Sequence, residues 1–347
     1  MNSKSHRVSL MLAGILIMLA LLCFFSSVEG RKHLTRLPRL NIAKQSFGVS
    51  GLSAGAFMAV QFQVAFSKSI VGAGVVAGGP FFCSMGNVLI ALNQCMRIPE
   101  LIDLALMNDI IQGMSMENLI DDTSNLRNHR MYLFSGLEDA MVVQGVMRKL
   151  QTQLTQYFNM SRIVSDWNVP AEHAMITNDY GNACNFLGEP WINNCGMDVA
   201  GKILSVVMGA PISKNGTTPI DDNLYTFSQS GNYSAMSFDD KGYVYIPTAC
   251  QGGRAQCAAH LVFHGCNQGA RYIGETFVLH SGYLKHAEAN NIVVIFPQVK
   301  KEGFIEPNPQ GCFDWWGYSG IETFATKSGV QMRAIANMMN DLGVQIF

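Results

Sequence analysis

The stretch Gln45-Ser46-Phe47-Gly48-Val49-Ser50-Gly51-Leu52-Ser53-Ala54-Gly55-Ala56-Phe57-Met58 decides how the rest of the chain is read. Gln45 to Ser50 has the composition of a brief strand, and Ala56 to Phe66 that of a helix. Between them, Gly51-Leu52-Ser53-Ala54-Gly55 fits the pattern G-x-S-x-G. In that pattern a serine sits on a sharp strand-to-helix turn, and the flanking glycines avoid clashes that a β-carbon would make. Five residues of this kind occur often by chance. The apolar strand before them and the helix-forming run after them give the pattern its weight.

Outward from the elbow, buried apolar strands alternate with helical patterns. Ile70 to Ala77 and Met131 to Phe134 read as strands; Pro99 to Gln112, Val142 to Tyr157 and Ala200 to Met208 read as helices. Met175 to Asp198 is loop-like. The second half repeats the alternation, with strands at Gly242 to Ile246, His260 to Phe263 and Ile292 to Phe296. Helices are expected at Tyr272 to Ala289 and Ile321 to Leu342, around a long Gly/Pro-rich aromatic stretch from Lys301 to Gly320. This is the signature of an α/β fold on a mostly parallel sheet. With no repeat and no low-complexity linker, residues 31–347 read as a single catalytic domain.

The chain has 347 residues, 48% hydrophobic and 14% charged, with a formal net charge of −1. That composition excludes general disorder, and a pI near 6.7 argues against nucleic acid as a partner. Residues 1–30 read as a signal peptide. Lys4, His6 and Arg7 precede an uncharged run of 18 residues, Val8 to Phe25, and small residues lead to a cleavage point after Gly30. The run is at the short end for a membrane span, so an uncleaved anchor is the rival reading. The expected product is secreted or periplasmic, without a membrane span. Removing the segment leaves 22 basic against 24 acidic side chains, a net charge of −2.

Export gives the cysteines a meaning, because an oxidising compartment favours disulfides. Without Cys23, eight remain. Small loops are the easiest to close, so Cys83 pairs with Cys95, Cys184 with Cys195 and Cys250 with Cys257, leaving Cys266 to join Cys312. Zinc is the alternative, but no CxxC pair or His-x₃₋₅-His spacing accompanies them. No metal site is expected.

A serine nucleophile needs a base, and the base an orienting acid. In α/β-hydrolases these follow in the order Ser, Asp or Glu, His, each in a loop after a strand. Ser135-Gly136-Leu137-Glu138-Asp139 follows the strand Met131 to Phe134, so Asp139 is the candidate acid, with Glu138 its rival. His173 comes next and is the candidate base. His264 competes, but it ends a buried strand in His264-Gly265-Cys266, a pattern of oxyanion loops, where the N–H after the glycine holds the negative oxygen. The second oxyanion donor is the N–H of Ala54. In an ordinary α/β-hydrolase the His-Gly strand precedes the elbow; here it follows some two hundred residues later. The final helix would normally lead into the elbow strand. The chain therefore reads as a circularly permuted α/β-hydrolase fold.

In this arrangement the chain resembles the extracellular poly(3-hydroxybutyrate) depolymerases of the single-domain, circularly permuted type, over nearly all of residues 45–343. The resemblance rests on the elbow, Ala77-Gly78-Gly79-Pro80, Gly136-Leu137-Glu138-Asp139 with Val142, His173, and Asn194-Cys195-Gly196. It rests most specifically on His264-Gly265-Cys266-Asn267-Gln268 and on the segment Asn308 to Tyr318. It implies Ser53 as nucleophile, Asp139 and His173 as partners, the N–H groups of Ala54 and Cys266 as oxyanion hole, and an aromatic crevice containing Trp315 and Trp316. Adjacent strand residues face opposite sides, so one tryptophan is expected to pack while the other faces substrate. Ala54 and Ala56 depart from the family pattern, at positions where serine and glycine are common. The implied reaction is polyester hydrolysis through an acyl-enzyme, with no cofactor. The alternatives are a secreted esterase of the same fold acting on small or plant-derived esters, and an inactive surface-binding protein.

Overall fold

The computed structural model describes residues 30–209, 211–213, 216–302 and 308–347. The signal-peptide reading and Cys23 lie outside the described residues. From His33 to Phe347 the chain forms one compact unit. In chain order its strands are β1 (His33–Leu34), β2 (Ile42–Leu52), β3 (Gly72–Val76), β4 (Arg130–Phe134), β5 (Ile163–Asp166) and β6 (Met175–Thr177). They continue as β7 (Asn182–Ala183), β8 (Ile192–Asn194), β9 (Leu224–Ser228), β10 (Lys241–Tyr245), β11 (Cys257–Phe263) and β12 (Ile292–Phe296).

Among the described residues, the main sheet has nine strands in the order β1-β9-β10-β12-β11-β2-β3-β4-β5. Only β10 runs against its neighbours; the other pairings are parallel. The central strands are buried on both faces, as in Gly-Ala-Gly-Val-Val of β3 and Ile-Val-Val-Ile-Phe of β12. Parallel strands covered by helices on both sides require such continuous apolar runs.

The helices that position the site are α1 (Ala54–Ala65), α2 (Val88–Asn93), α3 (Leu104–Met116), α4 (Gln144–Leu154) and α5 (Val199–Met208). After them come α6 (Ala270–Ile273), α7 (Thr276–His280), α8 (Tyr283–Asn290) and α9 (Val330–Leu342). Every residue of α1 is buried, consistent with its being apolar nearly all round.

The topology bears out the permutation. Followed from β9 through β12 and α9, and then on to β2, the strand that leads into His264, β11, precedes the elbow strand. The end of α9 lies against the lead-in to β2: the Leu40 N–H donates to the Leu342 carbonyl at 2.8 Å. The Arg36 guanidinium grips both oxygens of Asp341, each at 2.8 Å.

Several local expectations are corrected. The single helix from Tyr272 to Ala289 is three, α6 to α8, because Gly274 (φ 59°) and Gly282 (φ 93°) break it. The last helix starts at Val330, not Ile321; the intervening segment is turns ending at Gly329. Pro99–Leu101 forms a separate 3-10 turn, and α3 begins at Leu104 because the Asp103 carboxylate accepts the N–H groups of Ala105 and Leu106. The loop-like segment Met175 to Asp198 contains a small second sheet, β6-β8-β7. The sulfurs of Cys83–Cys95, Cys184–Cys195, Cys250–Cys257 and Cys266–Cys312 are bonded, the pairing expected from spacing.

Candidate active site

Ser53 caps α1 at φ 57° and ψ −124°, a conformation that a side chain adopts only under constraint. Two glycines supply the constraint. A β-carbon on Gly51 would stand 2.2 Å from the Gly55 carbonyl oxygen, and one on Gly55 2.4 Å from that of Phe263. The elbow thus folds onto itself and onto the end of β11. The Ser53 N–H is held by the Val76 carbonyl at 2.9 Å. A β-carbon on Gly265 would lie 3.4 Å from that of Ser53, so the His-Gly loop abuts the serine.

Asp139 sits in the loop after β4. Its Oδ1 accepts the N–H groups of Met141 and Val142, at 2.9 and 2.8 Å. The Nδ1–H of His173 donates to the same carboxylate, 2.9 Å from Oδ2 and 3.1 Å from Oδ1. Both side chains are buried. Of the two rival acids, Asp139 meets the histidine; Glu138 is exposed, and its N–H donates to the Ala171 carbonyl. Glu172 has a role that local sequence does not reveal. Its Oε2 accepts the N–H of His173 at 2.9 Å and that of Ala140 at 3.1 Å, bridging the loops that carry His173 and Asp139.

His264 is fully buried and occupied on both nitrogens. Its Nδ1–H donates to the Gly265 carbonyl at 2.7 Å, and its Nε2 accepts the Val299 N–H at 3.2 Å. Burial pulls its pKa down to about 4, so the ring is neutral and its tautomer is set by these two partners. It does not face the pocket lined by Ser53 and His173. Cys266 follows, with its neighbours pinned: the Gly265 N–H by Gln268 Oε1 at 2.7 Å, and the Asn267 N–H by the Gln310 carbonyl at 2.8 Å.

Ser53, His173, Gly265, Cys266, Trp315 and Trp316 line one pocket of about 380 Å³. Trp315 is 5% exposed and stacked on Phe57, whereas Trp316 is half-buried and meets Trp315 edge-on. Both expected tryptophans therefore reach the pocket, one of them chiefly as packing. Their turn is organised by Asp314. Its carboxylate accepts the N–H groups of Trp316, Gly317, Tyr318 and Ser319 and the Ser319 hydroxyl. Burial pushes the Asp314 carboxyl upward, against the pull of these donors. The Cys266–Cys312 bridge ties this segment to the His-Gly loop.

The remaining wall combines Val88, Leu92 and Met96 around α2, Met141 and Val142 beside Asp139, and Trp191. Trp191, at φ 60°, follows the cis bond Glu189–Pro190. Its one sequence signal is an aromatic residue after proline in a loop closed by Cys184 and Cys195.

The permuted α/β-hydrolase sheet and a pocket that joins the elbow serine to a buried histidine–aspartate pair define a serine hydrolase. A polyhydroxybutyrate depolymerase from Talaromyces funiculosus is 33% identical over 322 residues, covering 89% of this chain and 92% of the relative. The chain belongs to the poly(3-hydroxybutyrate) depolymerase family. A poly(3-hydroxybutyrate) depolymerase from Delftia acidovorans is 39% identical over 321 residues, 92% of this chain; the match spans 63% of the length of that relative. Among solved structures, a PHB depolymerase serine-to-alanine variant complexed with an R3HB trimer superposes with a TM-score of 0.81 at 31% identity. The PHB depolymerase from Penicillium funiculosum gives 0.80 at 31% identity. Each superposition covers 89% of this chain and 99% of the other. No family model matches the chain. No helix among the described residues is long and apolar enough to cross a membrane.

Proposed function

We propose that the protein is an exported esterase that hydrolyses poly(3-hydroxybutyrate)-type polyesters or their oligomers, with Ser53 as nucleophile, His173 as base and Asp139 as its orienting acid. The observation that carries this reading is that His173, hydrogen-bonded to the Asp139 carboxylate, lines the same pocket as Ser53. Ser53 Oγ attacks the ester carbonyl carbon while His173 Nε2 takes its proton, and Asp139 stabilises the imidazolium through Nδ1–H. The tetrahedral oxyanion is held by the N–H groups of Ala54 and Cys266. Collapse breaks the ester C–O bond, and His173 returns the proton to the departing alcohol oxygen. Water then repeats the sequence on the acyl-enzyme. Trp316 supplies a half-exposed aromatic wall for the chain of the substrate.

The export part of this reading is supported by four disulfides, which suit an oxidising compartment; residues 1–30 are proposed as the signal peptide of a single catalytic domain spanning 31–347. Exposed Val88, Leu89 and Leu92 on α2, beside the pocket, give a hydrophobic surface for contact with an insoluble ester. Clearing of a poly(3-hydroxybutyrate) suspension, measured against turnover of short acyl esters, tests the substrate. Clearing that is lost in Ser53→Ala supports the proposal. Turnover of small esters without clearing assigns the protein to the general-esterase alternative.

A further inference from the structure

Gln268 is 1% exposed, and its amide uses both ends. Oε1 accepts the Gly265 N–H at 2.7 Å, while Nε2 donates to the carbonyls of Pro190 and Trp191 at 3.1 and 3.0 Å. Those partners belong to two separate walls of the pocket: the His-Gly loop and the turn that carries Trp191. In a trans peptide, C=O and N–H point in opposite directions. The Gly265 carbonyl is drawn toward the buried His264 Nδ1 and also accepts the Gln268 N–H at 3.3 Å. The N–H of the same peptide unit, that of Cys266, therefore faces away from His264, toward the pocket that Cys266 lines.

We propose that Gln268 is a positioning residue for the oxyanion hole: its side chain fixes the His264–Gly265 peptide, the unit directly before the one that carries the Cys266 N–H, against the Trp191 wall, so that the Cys266 N–H stays aimed at the developing oxyanion. The inference rests on the reading of Ser53 as nucleophile and Cys266 as donor. Such a donor contributes only when aimed beforehand at the place where charge develops. Losing the brace costs transition-state stabilisation and leaves ground-state binding of the ester largely intact.

The test compares wild type, Gln268→Met and Gln268→Glu in three measurements. These are kcat and KM on a short acyl ester, the rate of Ser53 phosphonylation by a p-nitrophenyl alkylphosphonate, and the thermal midpoint. Phosphonylation builds a tetrahedral oxyanion at Ser53 and so reports on the hole itself. Gln268→Met loses every side-chain hydrogen bond. It is expected to lower kcat and the phosphonylation rate together, roughly 10- to 100-fold, with KM within about threefold. Gln268→Glu keeps the acceptor for the Gly265 N–H but sets a carboxylate against two carbonyls. Its kcat is expected to rise on acidification, relative to wild type, as the carboxyl regains a donor proton. Unchanged kcat in folded Gln268→Met overturns the proposal. So does a fall in thermal midpoint and kcat with an unchanged phosphonylation rate. A wild-type enzyme that hydrolyses the ester but is not labelled at Ser53 overturns the site reading and the proposal with it, whereas labelling of wild type and variants at equal rates overturns the Gln268 proposal alone.

Discussion

Trp315 stacks on Phe57 with ring centroids 4.2 Å apart and planes 14° from parallel, although 258 positions separate them in the chain. Phe57 lies on α1 one turn beyond Ser53, so this contact fastens the aromatic wall of the pocket to the helix that begins at the elbow. The two neighbouring tryptophans accordingly have separable roles. Trp315→Ala removes a buried ring and is expected to destabilise the fold by about 3–5 kcal/mol, read as a lower denaturation midpoint. Trp316→Ala is expected to cost under about 1 kcal/mol and to raise KM for longer ester oligomers more than for short esters.

The strain at Ser53 separates stability from activity. Ser53→Ala and Ser53→Gly are both expected to lower kcat by about 10⁴-fold or more. Only glycine accepts φ 57° and ψ −124° without cost. Ser53→Gly should therefore unfold at a higher temperature than Ser53→Ala, by the equivalent of about 1 kcal/mol. Equal midpoints would show that the elbow is relaxed.

Glu172 holds the backbone N–H groups of His173 and Ala140, so it joins the loops that carry His173 and Asp139 through their main chain. Glu172→Ala should reduce kcat by roughly 10-fold through loosened geometry, with KM unchanged and the short-ester pH profile keeping its shape. A shifted profile would instead give Glu172 a direct part in proton transfer.

Acid sensitivity follows from three buried imidazoles. Burial lowers His264 and His129 to about 4 and His260 to about 3. Between these values and the ordinary 6.5 the unfolded chain binds more protons than the folded one. The stabilising contribution is full above about pH 6.5 and is lost as pH falls toward 4, by up to about 1.4 kcal/mol per pH unit for each ring. Thermal midpoints should drop across that window. His260→Gln removes one of the three titrating rings and keeps an amide within reach of Ser50 Oγ, the partner of Nε2 at 2.7 Å, so the pH dependence of the midpoint should flatten.

What the chain reveals locally is considerable. The elbow, the Asp139 loop and the His264-Gly265-Cys266 strand end are short motifs whose chemistry is carried by adjacent residues. Their order along the chain was enough to show the permutation. The misread elements have local causes: Gly274 and Gly282 interrupt a helical apolar pattern without erasing it, and β5 and β6 are segments of four and three residues whose strand character comes from the neighbours they pair with.

Sequence by itself determined the α/β class, the order along the chain of the elbow serine, the Asp139 loop and His173, and three of the four cysteine pairs by proximity, with Cys266–Cys312 left by elimination, because composition, spacing and the closure of small loops act along the chain. Tertiary structure alone decided that Asp139 rather than Glu138 meets His173, that Trp315 packs while Trp316 stays half-open, and that Glu172, Trp191 and Gln268 belong to the site. Those assignments depend on which distant backbone N–H or ring a side chain reaches. Only the folded sheet, by bringing the ends of β2, β4 and β11 to one edge, places such groups within hydrogen-bonding distance.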